Sequence, residues 1–189
     1  MKNINSLLAI VVLLSGNVLF AQKVEVNPKA SSVEWHGKKI GTNHDGNIQL
    51  KSGFFELKDN QIVEGKFVMD MTTITNNDLK NEGYNQKLVG HLKSDDFFGV
   101  EKYPTAHFIV TKSSKFSNGK ATITGDITIK GKTESISFDV VRSGEVYTSS
   151  VEIDRSKFDV RYDSSSFFKN LGDKAIDDIF TLDIKLVVN

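Results

Sequence analysis

In run after run of this chain an apolar side chain falls on every second residue, and that spacing restricts the fold more than any other feature does. Ile48 and Leu50 alternate with Asn47 and Gln49, and Phe67, Met69 and Met71 with Lys66, Asp70 and Thr72. The pattern recurs at Phe108 and Val110, at Ala121, Ile123, Ile127 and Ile129, and at Ile136, Phe138 and Val140. It continues at Val151 and Ile153 and closes at Phe180, Leu182, Ile184, Leu186 and Val188. Successive strand side chains point to opposite faces, so each run has one face to bury and one to wet. Between the runs lie Lys58-Asp59-Asn60-Gln61, Ser117-Asn118-Gly119-Lys120, Lys130-Gly131-Lys132 and Arg142-Ser143-Gly144-Glu145, short and rich in residues that tolerate positive φ. Short turns make hairpins, and hairpins make antiparallel neighbours. About eight such strands in succession predict an all-β, eight-stranded antiparallel up-and-down barrel with no free edge. A two-sheet sandwich is the competing arrangement.

Two stretches break the rhythm. Asn77 to Leu92 reads as a helix, with Asp78 able to cap it and Tyr84, Leu88 and His91 or Leu92 on one face. It leads into Ser94-Asp95-Asp96-Phe97-Phe98-Gly99, where two adjacent phenylalanines in a connector need something to bury against and so predict a plug or gate at one barrel end. The second stretch, Tyr162 to Asp173, carries Ser164-Ser165-Ser166 before Phe167 and Phe168. Long loops of this kind are expected at a barrel mouth.

At the amino terminus Lys2 precedes the apolar run Leu7 to Leu14, and Phe20-Ala21-Gln22 follows Ser15, Gly16 and Asn17. This is signal-peptide anatomy, so residues 1–21 are expected to be a cleaved export signal and residues 22–189 one domain of periplasmic or secreted location. Lys2 is the one charged residue in that leader, which leaves 23 basic against 24 acidic residues in the remainder. A near-neutral balance gives no footprint for nucleic acid. With no cysteine in the chain, disulfides, thiolate metal sites and cysteine nucleophiles are excluded.

Chemistry-bearing residues are few. Five residues separate Gly125 from Gly131-Lys132-Thr133, one more than a phosphate loop allows, and no helix follows, so a hairpin turn explains the stretch. His36, His44, His91 and His107 lack metal-site spacing, and neither a metal nor another cofactor is expected. His44, within the glycine-flanked run Gly41 to Asn47, and His91, at the end of the helix, are candidates for contacting a ligand head group or for structural hydrogen bonding. Arg155, in Ile153-Asp154-Arg155-Ser156, either forms a buried pair with Asp154 or another carboxylate or offers its planar donor fork to an anionic head group. The stronger candidate is the barrel interior: Phe67, Met69, Met71, Phe108, Val110, Ile123, Ile127, Phe138, Val151, Ile153, Phe180, Leu182 and Ile184, with Phe97 and Phe98 at one end. Such side chains either fill the lumen or line a cavity for one small ligand, and the paired methionines favour the cavity.

The segment from His91 to Phe108, with Asp96-Phe97-Phe98 and Tyr103-Pro104-Thr105, resembles a signature segment of the YceI-like family of bacterial periplasmic lipid-binding proteins. Three further blocks are similar to that family in the same order: Gly65 to Ile74, Gly125 to Thr133, and Ile153 to Phe158. The resemblance implies a lipocalin-like barrel, often a homodimer, whose apolar pore holds a polyisoprenoid or other long-chain lipid, with no catalysis. Asp159 stands where the family has glycine, and Tyr162 to Asp173 is an insertion that reshapes one mouth. The leading expectation is therefore a non-enzymatic lipid carrier. The alternatives are a hydrolase or isomerase using His44, His91 or Asp154 at the mouth, and an envelope interaction module with a filled barrel.

Overall fold

A computed structural model describes residues 21–189, and all of the proposed leader except Ala21 lies outside them. The alternating runs form ten strands: β1 Gln22–Glu25, β2 Ser32–Lys39, β3 Thr42–Asn47, β4 Gln49–Lys58, β5 Gln61–Asp70, β6 Thr105–Ser113, β7 Lys120–Ile129, β8 Lys132–Ser143, β9 Val146–Asp154 and β10 Ile179–Val187. All join one antiparallel sheet in the order β1-β4-β5-β6-β7-β8-β9-β10-β2-β3, so the sandwich alternative is set aside.

Ten strands rather than eight arise because two staves are each broken once. Ile48 alone separates β3 from β4, and its N–H donates to the Val33 carbonyl at 3.0 Å, carrying the β2 pairing across the break. Between β1 and β2, Asn27 folds the chain outward by accepting the N–H groups of Lys29 and Ala30, beside Pro28, which has no N–H to give. Val26 N–H donates to Gly53 O at 2.9 Å and Val26 forms an antiparallel bridge with Val188. β1 thus lies between β4 and the end of β10, as β2 lies between β3 and β10, and eight staves close into a ring.

The turns follow their sequence. Asp59 and Asn60, Asn118 and Gly119, and Lys130 and Gly131 all have positive φ in pairs, the backbone that matches the right-handed twist of a tight hairpin. The helix is shorter than the sequence suggests. α1 spans Glu82–Lys93, and its N-cap is Asn81, whose side chain accepts the Tyr84 N–H. Asp78 is drawn away from capping: its carboxylate lies 2.8 Å from His44 Nδ1 and accepts the Asp45 N–H at 3.1 Å. Leu92 is buried and Leu88 half-buried, but Tyr84 is 65% exposed and takes no part in the packed face.

Following the chain up and down the staves puts both irregular stretches, residues 71–104 and 155–178, at the same barrel end. That end is packed by Trp35, Met71, Ile74, Leu92, Phe97 and Phe158. The opposite end is packed around Phe55, Phe116 and Tyr147, whose rings meet edge to face at 5.0 and 6.0 Å. Met69, Phe108 and Phe138 border both cores without being fully buried.

The run Gly41 to Asn47 is strand and its turn, not an open loop, and Gly46 serves close packing: a Cβ there would sit 1.8 Å from Thr75 O. That carbonyl also accepts the Trp35 Nε1–H at 3.0 Å. Gly46→Ala is expected to lower stability by about 2–3 kcal/mol through this clash; an unchanged urea midpoint would refute the packing assignment.

Candidate binding cavity

Inward positions at mid-barrel are where the packing stops. Phe67, Phe138, Phe180, Leu182, Ile184 and Leu186 point inward yet remain only partly buried, although their strands alternate as buried strands should. They surround an apolar cavity that offers about 190 Å³ to the centres of water-sized molecules. A packing void just large enough for one water offers about 10–15 Å³ by the same measure, so this is a lumen and not a defect.

The structure places Phe67, Met69, Met71, Phe108, Val110, Ile123, Ile127, Phe138, Val151, Ile153, Phe180, Leu182 and Ile184 on the cavity wall. Phe97 and Phe98 reach it from the cap, stacked edge to face at 5.0 Å, and Phe98 meets Phe180 at 6.4 Å. Phe167 and Phe168 do not, being 40% and 50% exposed on the second insertion, with the Arg161 guanidinium 5.0 Å from the Phe167 ring. Wall residues beyond those read from the sequence include Trp35, Phe55, Ile136 and Tyr147. Trp35 carried the same signal as the rest, since Val33 and Trp35 alternate with Glu34 and His36, whereas Phe54 beside Phe55 hides the alternation there.

Of the two readings left open for each of three polar candidates, the structure sides against the head-group one. His44 lies on β3, bound to Asp78 and away from the cavity wall. His91 is held within the cap, its ring 4.1 Å from that of Tyr162 and 5.9 Å from that of Phe97, and it too is off the wall. Neither borders the cavity. Arg155 does border the cavity, but its donors are spent. At 2% exposure its Nε donates to Asp177 O at 3.0 Å, and Nη1 to Val160 O and Tyr162 O at 3.1 and 2.8 Å. Nη2 donates to Ile176 O at 2.9 Å and lies 3.4 Å from the Asp178 carboxylate. The carboxylate partner is therefore Asp178 and not Asp154, which caps the following turn by accepting from Ser156 N and Oγ. Arg155 gathers residues 160–178 into the cap, with its guanidinium 5.5 Å from the Phe97 ring.

Burial pushes the Arg155 pKa down, and the charge of Asp178 opposes this first among the neighbouring carboxylates. For Asp178, burial pushes the pKa up, but hydrogen bonds from Ser164 and Ser166 and the Arg155 charge outweigh it, leaving the carboxyl below its ordinary value. Lys130 ties the pieces together, its Nζ donating to Asp95 O at 2.8 Å and Asp159 O at 3.3 Å. None of His44, His91 and Asp154 hydrogen-bonds another. Among the described residues no cluster of three or more His, Asp or Glu side chains could hold a metal, and no helix is long and apolar enough to cross a membrane.

A closed antiparallel barrel, capped by a helix and enclosing an apolar lumen, defines a lipocalin-like architecture. Within it, the chain belongs to the YceI-like domain family, whose model matches residues 25–188. A UPF0312 protein of Vibrio parahaemolyticus is 31% identical over 96 residues, 50% of this chain and 47% of the relative. One of Shewanella denitrificans is 31% identical over 100 residues, 53% and 50% of the two chains, so these alignments span about half the length of the curated relatives. Among solved structures, Burkholderia cenocepacia BcnA superposes with a TM-score of 0.64 at 22% identity, covering 87% of this chain and 99% of that one. A polyisoprenoid-binding domain from Saccharophagus degradans does so with a TM-score of 0.59 at 12% identity, covering 88% and 97%. At these identities the two structures share the fold.

Replacing Arg155 by Met strands Asp178 and four carbonyls in the cap, for an expected loss of about 3–5 kcal/mol. Lysine, with one point charge, is not expected to restore it; an Arg155→Lys variant as stable as the parent in urea would overturn the role. The depressed Asp178 pKa adds stability above its unfolded value of about 3.9, which is lost as pH falls through the lower folded value. Asp178→Asn should thus unfold more readily than the parent at pH 7, the gap narrowing below about pH 4; a pH-independent gap in thermal melts would contradict this.

Proposed function

We propose that this protein binds a long-chain isoprenoid or similar amphipathic lipid in its lumen and carries or sequesters it without chemical change. The observation that supports this reading is the mid-barrel belt of inward aromatic and aliphatic side chains that the protein itself does not cover. A methylene-rich chain threaded there would bury both surfaces at about 0.8 kcal/mol per methylene. The similarity in fold to a polyisoprenoid-binding domain agrees with such a ligand. Dispersed titratable groups favour binding over catalysis, since no two of the candidate acids and bases are poised on one reacting atom. The leader read from residues 1–21 would deliver residues 22–189 to the periplasm or beyond, where a lipid passing between membranes needs a shielded carrier.

Protein purified from its native envelope should release an isoprenoid-type lipid on organic extraction, identified by mass spectrometry. Ile184→Trp, which fills the lumen, is expected to reduce polyprenol binding about tenfold or more while leaving the circular dichroism spectrum unchanged. Undiminished binding by a folded Ile184→Trp variant would count against the lumen as the site.

A further inference from the structure

The barrel wall is not equally sealed all round. β8 pairs with β7 along Lys120–Ile129, and β9 pairs with β10 along its whole length. β8 and β9 themselves pair only where Val141–Ser143 face Val146–Thr148. Beyond that point they part, and the 3₁₀ turn Arg155–Phe158 approaches β8 at the far end of the gap. One side chain reaches across: the Ser149 hydroxyl donates to Asp139 O at 2.6 Å. Ser149 is the one small hydroxyl residue in the inward row Tyr147, Ser149, Val151 and Ile153 on β9. Both barrel ends are packed with buried side chains, whereas the inward residues of β8, Ile136, Phe138 and Val140, stay partly exposed. The cavity and a groove on the outer surface share Thr148, Ser149 and Ile184 as walls, so they meet at this seam.

The geometry points to the β8–β9 seam as the lateral opening of the lumen, with the polar end of the bound lipid resting there as an uncharged hydroxyl or carbonyl group. The second half of this statement rests on the lipid-binding reading; the first does not. Its chemistry follows from what surrounds the seam. The outer groove carries Glu34, Asp139 and Asp183 against Lys185. Lys120 Nζ lies 3.5 Å from Asp139, and His36 Nε2 3.1 Å from Asp183. On the cavity side, every Arg155 nitrogen already faces an acceptor. A phosphate or diphosphate would meet more carboxylates than cations and would lose its hydration uncompensated. Ser149, Thr148 and Ser150 instead offer hydroxyls, which donate to or accept from a neutral oxygen.

Asp139 and Ser150 would be directly opposed if the register of β8 and β9 continued, and the chain has no cysteine of its own. In the double variant Asp139→Cys, Ser150→Cys, disulfide formation should slow uptake of the uncharged dye N-phenylnaphthylamine by about tenfold or more, with recovery on reduction. Ser149→Ala, which removes the crossing hydrogen bond, should speed it. Dye uptake indifferent to both changes would overturn the opening, whatever the natural ligand is. Head-group chemistry is read separately, by titrating a polyprenol and the matching polyprenyl phosphate: the phosphate should bind about tenfold or more weakly. Equal or tighter binding of the phosphate would overturn the uncharged end while leaving the seam intact. Failure of both lipids to bind, with dye uptake still controlled by the disulfide, would refute the lipid reading and keep the opening.

Discussion

Because Val26 pairs with Gly53 on one side and with Val188 on the other, the first strand seals the sheet into a ring, and a sealed ring has an inside. Every inward side chain must then find partners across a lumen whose width is set by the number of staves and not by the side chains. At both ends the chain supplies enough bulk to fill that width. At mid-height it does not, and the half-covered belt from Phe67 to Ile184 is the result.

The capped end shows how polar chemistry is used in a chain with so little of it to spare. Arg155 is the most deeply buried cation among the described residues, yet it faces carbonyl oxygens of a segment with little regular structure of its own. Without those donors, the backbone between Val160 and Asp178 would be buried with unpaired oxygens. The charge is structural: it substitutes for the hydrogen-bond ladder that the insertion lacks.

Strands and hairpins were legible because their causes are local: alternation fixes the faces, and positive-φ pairs such as Asp59-Asn60 fix the turns. The cavity wall was legible for the same reason, since one face of each run has to point inward. Closure through Val26 was not, because it depends on residues far apart in sequence meeting at the end of the ring. The role of Asp78 was hidden as well, and that of Arg155 stayed open between two readings, with its carboxylate partner unidentified. A carboxylate shortly before a helix reads as a cap until the fold brings His44 within 2.8 Å of it. An arginine at a strand end reads equally as a buried ion pair or a ligand fork until residues much later in the chain use up its donors.

Lys130 sits in a two-residue turn, but its ammonium holds one carbonyl from each insertion, Asp95 O and Asp159 O. Segments distant in the sequence are thereby fastened to one short hairpin, and Arg155 beneath the Phe97 ring fastens them again. A lid built from two independent flaps would fray piecemeal. Segments fastened together at Lys130 and Arg155 are instead expected to gain or lose protection against hydrogen exchange as one unit.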